Sequence, residues 1–376
     1  MIDYVEIKNA ERETVGIIDT ASSVIWHSVY YGVGDFEIYA QATEQNLELL
    51  KVGNYVTRQN NDEVGVIEAI TITFSIQDGY MITATGRFAK SILERRIIYN
   101  LSETVNTPTI LRGNVEQAIR QTVLDNAISC SFDSRRNIPI LGLAALNNLT
   151  PKIVDESGNA AQKQVSYQNL LEYTDKVLQE YGLSSKIIYN DSNKKLLYSV
   201  FEGADRSTDN ADGNDPIVFS IEYDNLNSSN YLYDEKSLKN AALIGGAGEG
   251  LERFYTLFTG GKSGLQLREM FIDASSVNRT YKNDGSDEEI RYTNAEYRAM
   301  LNQKGQEKFK ETIIKETFSG DINVSFGMWI YGVDYFLGDI VTVQDNFINK
   351  YANVRITEVT EVQDENGYSV DVVFGE

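Results

Sequence analysis

The segment Thr259–Ser263 has residue types that could bind a phosphate. In a phosphate-binding loop, backbone N–H groups surround the phosphates and a Lys-Ser or Lys-Thr pair completes the site. The motif requires another glycine five residues before Gly261, where this chain has Thr256. It also has to open a helix, whereas the flanking residues predict a strand on each side. We therefore interpret the segment as a loop between two strands.

The glycine-rich segment Gly245–Gly250 could approach the pyrophosphate of a dinucleotide. The G-x-G-x-x-G fingerprint, counted from Gly246, needs a glycine where Leu251 stands. The pattern also needs a crossover helix, and the sequence predicts none here. A flexible turn or a close-packed strand end is the favoured interpretation.

Two acidic loops, Asp209–Asp215 and Asn283–Asp287, could offer oxygen ligands to calcium. An EF-hand loop needs an acid five residues before its glycine and a glutamate six residues after it. Those positions hold Thr208 and Phe219 around Gly213, and Thr280 and Arg291 around Gly285. We therefore predict solvated loops, with an adventitious cation as the weaker alternative.

The chain has one histidine, His27, and one cysteine, Cys130. These counts exclude an intrachain disulfide, a cysteine metal cluster and most zinc sites. His27 follows Trp26 in a strand-like stretch without a nucleophile motif, so we expect a core or interface residue. Glu37 and Glu68 could in principle cleave a sugar, but an acidic chain contains many such pairs. We assign no catalytic, cofactor-binding or metal-binding residue and expect a protein that is not an enzyme.

The 376-residue chain has a formal net charge of −21, spread along its length. Nucleic-acid binding needs cationic patches, so this charge argues against a specific nucleic-acid partner. Met1–Glu6 lacks the basic and apolar regions of a signal peptide, and the longest apolar run, Ile138–Leu146, is too short to span a bilayer. We expect synthesis in a cytoplasm and no stable membrane insertion.

Hydrophobic periodicity predicts a mainly β chain with an α+β middle domain. We expect a β-barrel module at residues 1–98 and a second at 318–376, the latter completed by strands from 225–275. Residues 99–224 are the α+β domain, and residues 276–317 are a linker and a long helix. The predicted helices are Ala42–Leu50, Ser91–Ile98, Val115–Val123 after the cap Asn114, Ser166–Tyr181, and Thr293–Glu316, whose apolar stripe includes Ile313.

The two β-modules carry similar landmarks in the same order. Each has a Gly-Asp segment, then a Gly-Asn or Gly-Asp turn before a strand, then an alternating strand that runs into a turn. In first and second copy these are Gly34–Ile38 and Gly320–Val324, Gly53–Asn61 and Gly338–Asn346, and the turns Gln77–Tyr80 and Gln363–Tyr368. The second turn is predicted to be two residues longer. Chance recurrence is the alternative, but the conserved order favours a duplication.

Short segments along nearly the whole chain resemble the tail-hub proteins of long-tailed phages and prophages, the tail-associated or baseplate-hub group of Gram-positive hosts. These segments are Gly34–Phe36, Leu93–Ile97, Arg136–Pro139, Phe201–Ser207, Val218–Ser220, Gly264, Arg268–Glu269, Asp273–Ala274, Glu296–Tyr297, Gly305 and Leu337–Val343. Many members carry C-terminal extensions with lytic or receptor-binding domains. Because this chain ends just after the second module, we do not expect those activities.

The resemblance implies a homotrimer whose copies each give two similar β-barrels to a ring. Three copies would then present pseudo-sixfold symmetry between a hexameric tail tube or distal tail protein and threefold tip proteins. The implied role is a structural hub at the virion tail tip that lines the DNA exit channel. The tape measure protein and receptor-binding or tip proteins are the other implied partners, and no cofactor is implied. The alternatives are a cell-wall polysaccharide or peptidoglycan hydrolase and a receptor-binding module.

Overall fold

The computed structural model describes residues 2, 4–59, 61–102, 104–154, 158–282, 289–309, 312, 314–323 and 328–375. It divides into two compact units, Met1–Asn230 with Phe318–Glu376, and Tyr231–Thr317. Strands make up 44% of the chain and helices 19%, which confirms the predicted mainly β class. Along the described residues, no helix has both the length and the apolar character needed to cross a membrane.

The N-terminal module is an antiparallel sheet around a buried apolar core. Its strands follow the order β2-β1-β5-β6-β7-β4-β3, and Trp26, Phe36 and Ile82 are among its buried residues. The predicted helical insert is present, capped by the Thr43 side chain, and a 3-10 helix, Ala89–Arg95, takes the place of the predicted Ser91–Ile98 helix. The elements are β1 (Val5–Lys8), β2 (Thr14–Ile18), β3 (Ser23–Val29), β4 (Asp35–Gln41), α1 (Glu44–Leu49), β5 (Tyr55–Arg58), β6 (Asn61–Ser75) and β7 (Gly79–Phe88).

The middle segment contains the predicted helices and a β-hairpin. Asn114 caps the first helix, because its side-chain oxygen accepts a hydrogen bond from Gln117 N at 3.0 Å. The second helix begins at Leu170 instead of Ser166, because Asn169 is its N-cap. The elements are β8 (Leu101–Ser102), β9 (Val105–Asn106), β10 (Thr109–Arg112), α2 (Val115–Val123), β11 (Leu141–Leu143), β12 (Gln162–Val165), α3 (Leu170–Glu180), β13 (Ser184–Asn190), β14 (Lys195–Phe201) and β15 (Val218–Ser220).

The second unit has its own small sheet and helix. The elements are β16 (Asn230–Asp234), β17 (Ala241–Gly245), β18 (Tyr255–Thr259), β19 (Glu269–Asp273), β20 (Thr280–Lys282), β21 (Glu289–Arg291) and α4 (Asn294–Phe309). The strands β18, β17 and β19 form a separate three-stranded sheet.

These three strands were expected to complete the C-terminal barrel. They pair with one another instead, because their apolar side chains, such as Ile244 and Ile272, pack against Tyr297 and Leu301 of α4. The predicted helix begins after Thr293, which forms a capping box with Glu296. It ends at Phe309 and not at Glu316, which lies in the strand Lys315–Ile322, and Ile313 lies outside the described residues.

The C-terminal module consists of β22 (Lys315–Ile322), β23 (Ile340–Asp345), β24 (Lys350–Asp364) and β25 (Gly367–Gly375), with β15 added parallel to β23. Its order is β15-β23-β24-β25-β22-β16, so β16 is a strand from 225–275 that joins this sheet as predicted, unlike β17, β18 and β19. Within the described residues, neither module closes on itself, so each is an open sheet instead of the predicted closed barrel.

The two modules repeat one strand order, β5-β6-β7-β4 in the first and β23-β24-β25-β22 in the second. Gly53 and Gly338 have φ angles of +91° and +93°. Gly53 N donates to Ile67 O at 2.8 Å, and Gly338 N donates to Ile356 O at 2.9 Å. The long strands β6 and β24 are each interrupted just after that isoleucine. These shared details support a duplication.

The structure aligns β4 of the first module and β22 of the second in a different register from the one predicted from the sequence. Phe36 faces Gly86 and Phe318 faces Phe374 at equivalent ladder positions, so Phe318 is the counterpart of Phe36. The likeness of Gly34–Ile38 to Gly320–Val324 is therefore four residues out of register, and Val324 lies outside the described residues.

The predicted difference in turn length is also wrong. The second turn is one residue shorter than the first, since positions 76–78 link β6 to β7 and positions 365–366 link β24 to β25. Gln363 and Asp364 still belong to the ladder, paired with Tyr368 and Gly367.

Candidate functional site

The segments that resemble nucleotide-binding motifs are structural turns. Thr259–Ser263 follows β18 as predicted, but a short 3-10 helix, Gly264–Gln266, separates it from β19, and it does not open an α-helix. Gly246 packs against α4 so closely that an added Cβ would lie 2.6 Å from Tyr297 Oη. That hydroxyl accepts from Ala247 N and donates to Val277 O, both at 2.7 Å. Gly246 therefore allows the turn to pack closely against α4.

The Asp209–Asp215 loop is organised by Asn210. Its side-chain oxygen accepts from the backbone N of Gly213 and Asn214, and its amide donates to Ser207 O and Asn214 O. Among the described residues, no cluster of His, Cys, Asp and Glu could hold a metal ion. The other acidic loop, Asn283–Asp287, lies outside the described residues.

Glu37 and Glu68, the two carboxylates considered for sugar cleavage, lie in strands β4 and β6 of the N-terminal module. Glu68 forms a bidentate ion pair with Arg87, at 2.9 and 3.1 Å, and this hydrogen bonding lowers the pKa of Glu68. Glu37 lies in β4, opposite Ile25 and Thr85.

Strand β3 joins the two modules, because it pairs with β4 along one edge and with β24 along the other. Six residue pairs, from Glu358 with Val29 to Gln363 with Val24, form the ladder with β24. We call β3 and residues 358–363 the module seam. It is the candidate functional site, because the two copies of the repeated unit meet there.

A buried ion pair crosses the module seam. Arg58 Nη1 donates to Glu361 Oε1 at 3.1 Å, its Nη2 donates to Oε2, and both side chains are 5% exposed. The guanidinium lies 5.3 Å from the centre of the Trp26 ring, and Tyr368 Oη donates to Glu361 Oε1 at 2.6 Å. Burial lowers the pKa of Arg58 and raises the pKa of Tyr368 to about 12. Each buried charge is thus compensated by a partner, as stability requires.

His27 lies at the exposed side of the seam. Its Nδ1 is 3.2 Å from Asp35 Oδ2, and its Nε2 is 3.2 Å from Glu358 Oε2. Because carboxylates accept hydrogen bonds, an imidazolium can donate to both at once. His27 therefore bridges one strand of each module, which matches the predicted interface role.

Tyr30 lies just beyond the end of the seam at which Val29 pairs with Glu358, and its backbone N donates to Thr357 O. An added Cβ on Gly338 would lie 2.2 Å from Tyr30 Cε2, and the Arg355 guanidinium lies 5.1 Å from the ring centre. Tyr30 Oη donates to Gly182 O at 2.9 Å, and burial raises its pKa to about 12. A glycine is required at 338 both for its positive φ and for this contact.

Neither Arg58 nor Glu361 was predicted from the sequence to form a pair. A signal was nevertheless present in the repeat. Arg58 occupies the position of Val343 in the other copy, and Glu361 occupies that of Ile72. Two opposite charges at positions that are apolar in the other module indicate a contact between the two modules of one chain.

The comparison with protein families agrees with this architecture. A family model described as "Siphovirus ReqiPepy6 Gp37-like protein" matches residues 4–376. The chain belongs to this siphovirus tail protein family. The resemblance to phage and prophage tail proteins is thereby confirmed.

Solved structures of phage-type tail proteins share the fold of this tail protein. The tail protein from Neisseria meningitidis MC58 is similar with a TM-score of 0.55 and 12% identity, over 99% of this chain and 96% of that one. The 43 kDa tail protein of prophage MuSo2 from Shewanella oneidensis gives 0.55 and 11%, over 99% and 98%. Prophage tail protein gp18 from Listeria monocytogenes EGD-e gives 0.51 and 11%, over 99% and 94%. No curated protein matches the tail protein significantly.

Proposed function

We propose that this tail protein is the trimeric hub at the distal tip of a siphovirus or prophage tail. In this role it is a non-enzymatic adaptor between a hexameric tail tube or distal tail protein and threefold tip proteins. The tape measure protein and the receptor-binding or tip proteins are its other partners, and its ring lines the channel through which DNA leaves.

The repeated strand order is the observation that carries the proposal. Each chain contains two modules with equivalent strands, turn glycines and strand interruptions. Three copies arranged around one axis therefore supply 3 × 2 = 6 similar modules. Closed cyclic symmetry is the usual form of a homo-oligomer, and such a ring would match sixfold and threefold neighbours together.

The module seam supports the same arrangement. β3 and β24 continue the sheet of the first module into the sheet of the second without a break in pairing. Modules joined edge to edge in this way can follow a ring, because each module repeats the same edges.

The charge distribution suits a passage for DNA. Three copies carry a formal charge of 3 × (−21) = −63. The sheet face opposite the core carries Glu37, Thr83, Thr85 and Arg87 on adjacent strands of the first module, and Arg87 forms ion pairs with Glu68 and Glu94. An acidic, hydroxyl-rich surface repels phosphates and would not retain DNA.

Mass and shape of the purified protein test the proposal. Sedimentation velocity should give three times the chain mass, and negative-stain images should show a threefold ring with a central hole. A compact monomer at high protein concentration would contradict the proposed hub. Release of cell-wall fragments, or tight binding of host glycans by the isolated protein, would favour a hydrolase or a receptor-binding module instead.

A further inference from the structure

The second half of β6 presents an uncovered apolar edge. Ile70, Ile72 and Phe74 are 41%, 51% and 61% exposed. Across the ladder, Ile70 faces Ala84 and Ile72 faces Ile82, and both of these β7 residues are fully buried. Ile70, Ile72 and Phe74 therefore form the border of the module's apolar core, which is uncovered on this side.

The second module shows what covers this margin. Counted from Ile67 and Ile356, the counterparts of Ile70 and Ile72 are Val359 and Glu361. These are only 1% and 4% exposed. The difference arises because β3 pairs with this half of β24, whereas among the described residues positions 69–75 of β6 pair with β7 alone.

We propose that this half of β6 pairs with a strand of a second copy of the chain, as β24 pairs with β3. The inference rests on the proposed ring and names the contact that closes it. An apolar strand edge exposed in this way normally binds another strand. The ladder between β24 and β3 within one chain is the geometric model for this contact, and a second copy of the chain supplies a strand edge of the same kind.

The strand of the second copy follows from the repeat. In the first module, Ser22 and β3 run along β4. In the second module, Leu226 bridges Ile322 of β22, and Ser228 O lies beside Gly320. The segment after Leu226 is therefore the counterpart of the segment after Ser22.

The register of the contact follows as well. Ile25 faces Val362 in the module seam. Val362 is the counterpart of Thr73. Because Leu226 is the counterpart of Ser22, the counterpart of Ile25, three residues after Ser22, is Ser229, three residues after Leu226. Thr73 of one copy should thus face Ser229 of the next.

Disulfide trapping tests this register. Directly opposed residues of antiparallel strands have Cβ atoms about 4.5–5.5 Å apart, close enough for a disulfide after small shifts. The variant Thr73→Cys with Ser229→Cys should give a covalent trimer on oxidation. The control Thr73→Cys with Asn230→Cys places the second thiol on the opposite face and should remain largely monomeric under denaturing conditions.

The outcomes separate the contact from the ring. A wild-type trimer whose Thr73/Ser229 variant does not cross-link, or whose control cross-links equally well, would overturn the proposed contact and leave the hub proposal standing. A monomeric wild-type protein would overturn the hub proposal, and the contact with it.

A charge on the open edge gives a second readout. Ile72→Lys should weaken trimer association by about tenfold or more, since an edge lysine opposes strand pairing. Val52→Lys, in the turn before β5, changes a side chain that is 60% exposed and lies outside any strand edge, so it should leave the trimer unchanged. Equal association of both variants would contradict the contact.

Discussion

Arg58 and Glu361 are 303 positions apart in the chain and form a buried, bidentate ion pair. The pair links β5 of the first module to β24 of the second. Their counterparts in the repeat, Val343 and Ile72, are apolar. The pair therefore belongs to the contact between the modules and not to the ancestral unit.

Removing one partner of this pair should be costly. Arg58→Val leaves Glu361 buried without its counter-charge, and we expect a loss of about 3–5 kcal/mol in the free energy of unfolding. Adding Glu361→Ile should recover at least half of the loss, because a well-packed apolar pair replaces a buried ion pair at little cost. Chemical denaturation measures both values. The control is Arg135→Ala, which breaks an exposed ion pair with Asp133. If Arg58→Val lowers the free energy of unfolding no more than this control does, the prediction is refuted.

Gly338 should tolerate substitution less well than Gly53. Both have a strongly positive φ, so alanine at either position costs about 1–2 kcal/mol in backbone strain. At Gly338 the added Cβ also meets the Tyr30 ring, whereas nothing lies within 4 Å at Gly53. We expect Gly338→Ala to cost a further ~1–3 kcal/mol through overpacking. Thermal or urea unfolding of the two variants provides the comparison, and equal losses would count against the Tyr30 contact.

The hydroxyl of Tyr368 should make stability depend on alkaline pH. Burial raises its pKa from 10.0 to about 12, so the folded state keeps a proton that the unfolded state releases. Its contribution is present below pH 10 and is lost as pH rises toward 12. The difference in unfolding free energy between wild type and Tyr368→Phe should therefore shrink over this range. A difference in unfolding free energy that stays constant or grows with pH would contradict the prediction.

Tyr297 should stabilise the second unit through both of its hydrogen bonds. The side chain is fully buried, and Tyr297→Phe leaves Ala247 N and Val277 O without this partner. We expect a loss of about 1–3 kcal/mol in the unfolding of this unit. Tyr255→Phe, at a site that is 46% exposed, is the matched control. Indistinguishable unfolding midpoints would show that the hydroxyl does not support the glycine-rich turn.

Local signals were sufficient to predict many elements. The caps Asn114 and Thr293 satisfy N–H groups within their own helices, and turn glycines such as Gly53 and Gly338 adopt their positive φ within a few residues. The sequence also determined that the chain repeats a β-unit, because strand alternation and turn residues are local properties.

The tertiary structure decided how distant parts combine. Ladder register and turn length depend on cross-strand packing, which moved the counterpart of Phe36 to Phe318 and placed Gln363 within a strand. The pairing of β17 with its own neighbours depends on burial against α4. The Arg58–Glu361 pair required the two modules to meet at β3, because no local pattern specifies which charges become buried together.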